Sequence, residues 1–340
     1  MSRPSRAFPG ALLLAVALAG CSGIQTPLDP AGDQAALSDV IWRTMLWVCG
    51  FMYLLVLGFL GWALWRARHR RGAEAPPAVG HTQAEPALER SLTGWAALIV
   101  LGLTGLTVAS FIVDARLTRE APNPLHVKVT ANQWWWEVEY SGQPSDRQVV
   151  TANELHLPAG RPARIELRAN DVIHSFWVPN LSGKEDLIPG RVNRLTVTPR
   201  RVGVFRGQCA EFCGLQHAKM ALDVEVQDPA AFEAWRAHQI QPAADPGTPS
   251  TLLGRQVFLG KACSLCHRIA GTDAGGVTGP DLTHLAARRT IAAGTLPNGR
   301  SALAAWIADP QGIKPGTTMP RVTLTAKELN ALVDYLETLR

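Results

Sequence analysis

The chain has 340 residues, of which 47% are hydrophobic and 18% charged, with a formal net charge of +5. It is too apolar and charge-poor for long disorder and too weakly basic for a nucleic-acid binder, and six cysteines are too few for a disulfide scaffold. The length allows two or three domains. Most of the eleven tryptophans either flank two apolar runs or stand in one triplet, so they mark places rather than a general core.

Arg3 and Arg6 precede an apolar run from Ala11 to Ala19, the pattern of a signal peptide rather than of a membrane span. The run ends Leu18-Ala19-Gly20-Cys21. This resembles a bacterial lipobox, which implies removal of residues 1–20 and lipidation of Cys21. An ordinary signal peptide with a chance cysteine is the alternative. Thr44–Trp65 and Leu92–Val113 are each 22 residues long and uncharged. A helix needs ~20 apolar residues to cross a bilayer, so both are predicted to span. Trp42, Trp47, Trp62, Trp65 and Trp95 sit near their ends, as interfacial aromatics do. A buried helical hairpin is the competing reading. Residues 66–90 carry Arg66, Arg68, Arg70, Arg71 and Arg90, whereas residues 22–40 carry Asp29, Asp33 and Asp39 and no Lys or Arg. The basic loop is therefore predicted to be cytoplasmic. That makes a multi-pass protein of the bacterial inner membrane, with everything after Val113 on the periplasmic face. Cys49, inside the first span, reads as a small packing residue.

From Pro124 onward the pattern changes to short alternating segments, such as Leu125–Thr130, Arg164–Arg168 and Leu222–Val226, separated by Pro/Gly turns. Many short strands of this kind predict an all-β sandwich or barrel. Asp228-Pro229 is read as the start of a helix running to about His238, with Asp at N-cap and Pro at N1. Residues 239–250 have linker composition. Helices are predicted at both ends of residues 251–340, over Leu252–His267 and Ala326–Leu339.

The run Cys209-Ala-Glu211-Phe-Cys213-Gly-Leu-Gln-His217-Ala-Lys-Met220 gathers two thiols, an imidazole and a thioether, and His174 lies upstream. Soft sulfur and imidazole donors select copper or zinc over hard cations. Structural zinc takes four Cys/His ligands, and Met220 is a poor zinc ligand. A Cys209–Cys213 disulfide is the other reading, but it leaves His217 and Met220 unexplained. One copper needs only one cysteine, so a second thiolate asks for a second metal.

This run, together with Gln133-Trp134-Trp135-Trp136 through Tyr140, Asp171–Ser175 and Lys184–Arg191, resembles the cytochrome c oxidase subunit II family. With the two apolar runs, the resemblance covers roughly residues 38–238. It implies a cupredoxin β-sandwich holding dinuclear copper A. By that resemblance Cys209 and Cys213 bridge the coppers, His174, His217 and Met220 are terminal ligands, and Glu211 lends its backbone carbonyl. The Glu211 side chain would reach a magnesium at the boundary with subunit I. Trp134 matches the family's exposed aromatic where electrons enter; packing or a membrane interface is its plainer role. Glu89 matches a glutamate opening a proton path into subunit I, although an acid at a helix N-terminus is favourable in any case.

Cys263-Ser-Leu-Cys266-His267 is the attachment signature of c-type haem: two thiols add to the vinyl groups and the adjacent histidine reaches the iron. Met319 is the expected sixth ligand, and His284 is the rival. Residues 251–340 resemble cytochrome c throughout. Gly254, Phe258 and Tyr335 suit the crossing of first and last helices, and Pro280 suits a carbonyl that orients the axial histidine. The chain then reads as a signal peptide (1–20), an N-terminal segment with a transmembrane hairpin (21–123, spans about 44–65 and 92–113), a copper A domain (124–238), a linker (239–250) and an all-α cytochrome c domain (251–340). The function implied is that of subunit II of a haem–copper terminal oxidase. It would take electrons from a cytochrome donor onto haem c, pass them to copper A, and deliver them to subunit I, where oxygen is reduced to water with proton pumping. Its expected partners are subunit I, other oxidase subunits and membrane lipid, with no nucleic acid. The alternatives are the copper A subunit of a nitric oxide reductase and a stand-alone membrane-anchored electron carrier.

Overall fold

A computed structural model describes residues 22–69, 86–117, 122–140 and 148–340. The chain divides into two units, one of residues 37–119 and one formed by the chain before and after them. The predicted leader and Cys21 lie outside the described residues.

The smaller unit is built from helices α1 (Asp33–His69), whose first turn belongs to the larger unit, and α2 (Pro86–Leu117). The runs predicted at 44–65 and 92–113 lie inside them. The helices run on because their polar ends suit the helix dipole: Asp33 and Glu89 stand in the first turns, and Arg66, Arg68 and Arg116 in the last. Side chains such as Trp47, Leu54, Leu101 and Phe111 are exposed. A helix that is apolar on every side needs a core or a bilayer, and among the described residues these two have no core. Each is long and apolar enough to cross a membrane.

The larger unit begins its β region with β1 (Leu125–Asn132), β2 (Trp135–Tyr140), β3 (Val149–Ala152), β4 (Glu154–Pro158) and β5 (Ala163–Ala169). Then follow β6 (His174–Trp177), β7 (Glu185–Leu187), β8 (Asn193–Val197), β9 (Gly203–Cys209) and β10 (Ala221–Gln227). One sheet has the order β3-β2-β1-β5-β8 and the other β4-β10-β9-β6-β7. Each contains one parallel pair, β1 with β5 and β10 with β4. The outcome is a sandwich. Alternation drives it: in β2, Trp136, Val138 and Tyr140 are buried while Trp135, Glu137 and Glu139 are only partly covered. The Tyr140 hydroxyl satisfies itself inside the core, donating to the His156 carbonyl (2.9 Å) and accepting from the His156 amide (2.7 Å).

Residues 23–33 form a strap on this sandwich. The Asn180 carboxamide accepts from the Thr26 amide (3.1 Å) and donates to the carbonyls of Gly23 and Asp29 (2.9 Å each). Asp29 pairs both oxygens with Arg201, and Asp33 pairs with Arg200. Gly32 is required here, since a Cβ would lie 2.4 Å from the Leu181 carbonyl oxygen.

After β10 come α3 (Pro229–Gln239), α4 (Pro249–Gly260) and α5 (Cys263–Cys266), and then α6 (Arg300–Ala308), α7 (Pro310–Ile313) and α8 (Ala326–Leu336). Asp228 stands at the N-cap of α3 but makes no side-chain cap bond, so the predicted start rests on Pro229 alone. The helix predicted over 252–267 is broken, because Lys261 is extended and ends α4 before the haem motif. Thr248 and Thr325 close reciprocal capping boxes on α4 and α8. Those two helices cross at Gly254, where a Cβ would meet the Ala331 carbonyl oxygen, and Phe258 packs edge-on against Tyr335 at 6.4 Å. The preceding segment lies along this domain: the Ala243 amide donates to the Ala270 carbonyl (3.0 Å).

Candidate metal centre and haem cavity

The copper-type run occupies the connection between β9 and β10, closed by a short 3₁₀ turn over His217–Lys219. Cys209 is the last residue of β9, in register with Phe176 of β6, which brings His174 alongside. The Sγ atoms of Cys209 and Cys213 are 3.7 Å apart, both cysteines are buried, and neither is in a disulfide. A disulfide needs about 2.05 Å, so that reading is excluded. Nδ1 of His174 lies 3.9 Å from Cys209 Sγ, and Nδ1 of His217 lies 3.6 Å from Cys213 Sγ. Met220 Sδ lies 3.9 Å from Cys213 Sγ, and the Glu211 carbonyl 3.3 Å from Cys209 Sγ. Among the described residues, His174, Cys209 and Cys213 are the one group of three whose ligand atoms all lie within 4.8 Å of one another.

The donor set fits two soft ions better than one. A tetrahedral zinc is satisfied by four donors. Two four-coordinate ions sharing both sulfurs need two more donors each. His174, His217, Met220 and the Glu211 carbonyl supply them. Nε2 of His174 is held by Asp171 Oδ1 at 2.8 Å, which leaves Nδ1 facing the sulfurs. Burial opposes charge on this ring, but its contacts with Cys209 and Asp171 outweigh burial and raise its pKa. Between the two thiols, a hydrogen bond from Cys213 drives Cys209 far below the ordinary thiol range, and the same pairing pushes Cys213 up. A bound cation would displace that shared proton.

Gln133 and Trp134 were not derivable as supports of this loop, yet both serve it. Gln133 Nε2 (2.8 Å) and Trp134 Nε1 (2.9 Å) donate to the Cys213 carbonyl. The expectation of an exposed Trp134 is corrected: it is 7% exposed. It packs in the core of the sandwich and also lines a cavity of about 270 Å³ with Cys263, Cys266, His267 and Met319 of the cytochrome domain.

That cavity has the requirements of a covalent haem. Nδ1 of His267 lies 2.8 Å from the Pro280 carbonyl, so the tautomer leaves Nε2 free for iron. Burial lowers the pKa of this ring and keeps it neutral. Gly279 lets the backbone pass the ring, since a Cβ would come within 2.9 Å of it. His284 is committed elsewhere, with Nδ1 2.7 Å from the Arg340 carbonyl and Nε2 3.1 Å from the Gln241 carbonyl. Glu89 is exposed in the first turn of α2, and Glu211 is half-buried, its Oε1 accepting from the Phe212 amide at 3.2 Å.

The two domains also touch through charged groups. Lys314 is buried, and burial lowers its pKa to about 7, with Lys219 adding to the shift. Arg288 Nε lies 3.6 Å from Glu154 Oε1, and the Thr290 hydroxyl donates to Asp223 at 2.7 Å.

Comparison with known proteins identifies both domains. Residues 125–227 match the family described as cytochrome C oxidase subunit II, periplasmic domain, and residues 252–340 match cytochrome c. Cytochrome c oxidase subunit 2 of Alkalihalophilus pseudofirmus is 31% identical over 96% of this chain and 95% of its own. The subunit 2 of Bacillus sp. strain PS3 is 32% identical over 72% of this chain and 71% of its own. Among solved structures, the periplasmic domain of cytochrome oxidase subunit II from Bradyrhizobium japonicum is 29% identical, covering 36% of this chain and 95% of its own, with a TM-score of 0.33. With a copper-type loop in a β-sandwich, a c-type haem cavity, and a relative matched over nearly its whole length, the chain belongs to the cytochrome c oxidase subunit II family, in a form that also carries a cytochrome c domain.

Proposed function

We propose that this chain is the electron-input subunit of a haem–copper oxidase, with the order outer donor, haem c, copper A, subunit I. When bound, both groups act as one-electron carriers. The observation that carries the order is Trp134, which lines the haem cavity while its indole N–H holds the Cys213 carbonyl. One side chain thus touches both sites. In this reading Cys209 and Cys213 would supply the thiolates that hold copper A, and His174, His217, Met220 and the Glu211 carbonyl its remaining donors. Cys263 and Cys266 would hold the haem covalently, and His267 and Met319 would be the residues that bind its iron. The Glu211 carboxylate is proposed to reach a magnesium shared with subunit I. In stopped-flow reduction of the intact complex, haem c should be reduced before the copper A band bleaches. Copper A reduced first, or equally fast in a chain ending at residue 240, would sink this order.

The multi-pass topology draws support from the strap. Chain before α1 and chain after α2 belong to one compact unit, which supports a stretch between them that returns to the side it left. Two crossings satisfy that, and the arginines of 66–90 support a cytoplasmic turn, with the metal domains then on the periplasmic side. Cys21 is proposed to be the lipidated mature N-terminus. Intact-mass analysis should find diacylglycerol on a chain beginning at Cys21, and a start at Met1 would refute it. Cys21→Ala should impair processing more than membrane retention, since one acyl chain adds little to two helices. Glu89 is proposed as the mouth of a proton path. Glu89→Gln should slow turnover without changing copper content, and unchanged turnover across pH would leave it only a helix-end role.

A further inference from the structure

We infer that Lys314 is a positioning residue that pins the cytochrome domain onto the copper loop as a fixed bridge, closing Trp134 to any separate donor protein. The inference rests on the electron order proposed above and adds how that order is enforced.

Lys314 comes from the cytochrome domain and is 2% exposed. Its Nζ donates to the Trp134 carbonyl at 2.7 Å and to the Ala292 carbonyl at 3.2 Å. One buried side chain therefore joins the backbone beside copper to the backbone beside haem. Two segments of the cytochrome domain seat around it. In the first, the carbonyl of Ile313 accepts from Lys219 Nζ (2.5 Å) and that of Pro315 from Gln216 Nε2 (2.6 Å). Next to them Gly316 packs so closely on Leu215 that a Cβ would lie 3.0 Å from its Cδ1. Lys219, Gln216 and Leu215 all belong to the copper-ligand connection, and residues 313–316 lead directly to Met319.

The second segment is the turn between the two-residue strands β11 (Thr290–Ile291) and β12 (Leu296–Pro297). Ala292, Ala293 and Gly294 have φ of 53°, 57° and 72°. Two consecutive alanines in the left-handed region are unfavourable unless their surroundings hold them there. The turn's own Thr295 hydroxyl holds the Ala292 carbonyl (2.7 Å), and further bonds come from Lys314 and from the copper domain. Lys314 takes the Ala292 carbonyl, the Ala221 amide donates to Ala293 (3.0 Å), and Arg206 Nη1 donates to Gly294 (3.4 Å). The shape of this turn is compensated by docking. A domain that swung free would give up the Lys314 bond to the Trp134 carbonyl and the copper-domain bonds to the turn, leaving its strain in place. The seated domain also reaches the edge of the Trp134 ring, since a Cβ on Gly316 would lie 3.9 Å from it.

The step tested is one electron leaving reduced haem c and arriving on copper A, in the intact oxidase complex. After photochemical reduction of haem c, the copper A near-infrared band should follow at a rate that does not change as glycerol raises viscosity about fivefold. In Lys314→Met the rate should fall at least tenfold and become viscosity-dependent, while haem and copper spectra and metal content stay as in the wild type. Lys314→Arg, which keeps donors at this site, should recover most of the rate. A wild-type rate that falls with viscosity, or a Lys314→Met rate equal to wild type, overturns the pin. If Lys314→Met does not assemble, the wild-type viscosity series decides alone. Copper A bleaching without prior haem c reduction is a different result, since it removes the electron order and not merely the pin.

Discussion

Cys213→Ser should abolish the delocalised two-copper signal in both EPR and near-infrared spectra while haem c remains attached. The hydroxyl that replaces the thiol is neither soft nor ionised at neutral pH, so it cannot stand in for a shared sulfur. Without it Cys209 is left as the only thiolate, and His217 and Met220 lose the sulfur they face at 3.6 and 3.9 Å. Removing even a residue that supports a metal ligand costs about 10–100-fold in affinity or activity. Loss of a bridging ligand should therefore cut electron delivery to subunit I by at least about 100-fold. The haem site is spared because Phe258, Leu332 and Tyr335 build a core of their own, separate from the sandwich core that contains Cys209 and Cys213. A delocalised signal surviving in this variant would refute the bridging role.

Met319→His should lower the haem c potential and starve the chain of electrons at the donor step. Thioether ligation favours the ferrous state, and a second imidazole does not. Axial ligands set potentials across about 0.8 V, so a shift on the order of 0.1 V is modest. At about 59 mV per tenfold change, it makes haem c reduction by a given donor roughly fiftyfold less favourable. Turnover with a high-potential donor should fall accordingly, and the copper A spectrum should not change. Redox titration of haem c in the complex is the check, and an unchanged potential would remove Met319 from the iron.

The copper connection was legible because its chemistry is carried by side-chain type at short spacing. Cys209, Cys213, His217 and Met220 lie within one turn of chain between two strands, and no soluble core explains that mixture. The haem motif and the Gly254 crossing were legible for the same reason, each being a local signature with a steric cause. What could not be read is everything that depends on backbone carbonyls as partners. Lys314 in a Gly/Pro loop looks like an ordinary solvated lysine, and its acceptors, Trp134 and Ala292, are named by no residue pattern. Trp134 was read as exposed on the resemblance alone; its ring packs into the sandwich core and also lines a cavity with a domain that lies far along the chain. Asp228 shows the converse: the right residue stands at the right position, and its side-chain bond is not made.

The strap carries a consequence for how the protein is made. Asp29 leaves the ribosome 172 residues before Arg201, the group it grips, and both apolar helices are synthesised in between. At about 5–20 residues per second, that separation lasts roughly ten to thirty seconds. For that interval residues 23–33 have nothing to fold upon. Asn180, whose carboxamide later organises it, has not yet been built. The sandwich therefore cannot mature on its own schedule, since one of its edges was translated first and must wait for the rest to arrive.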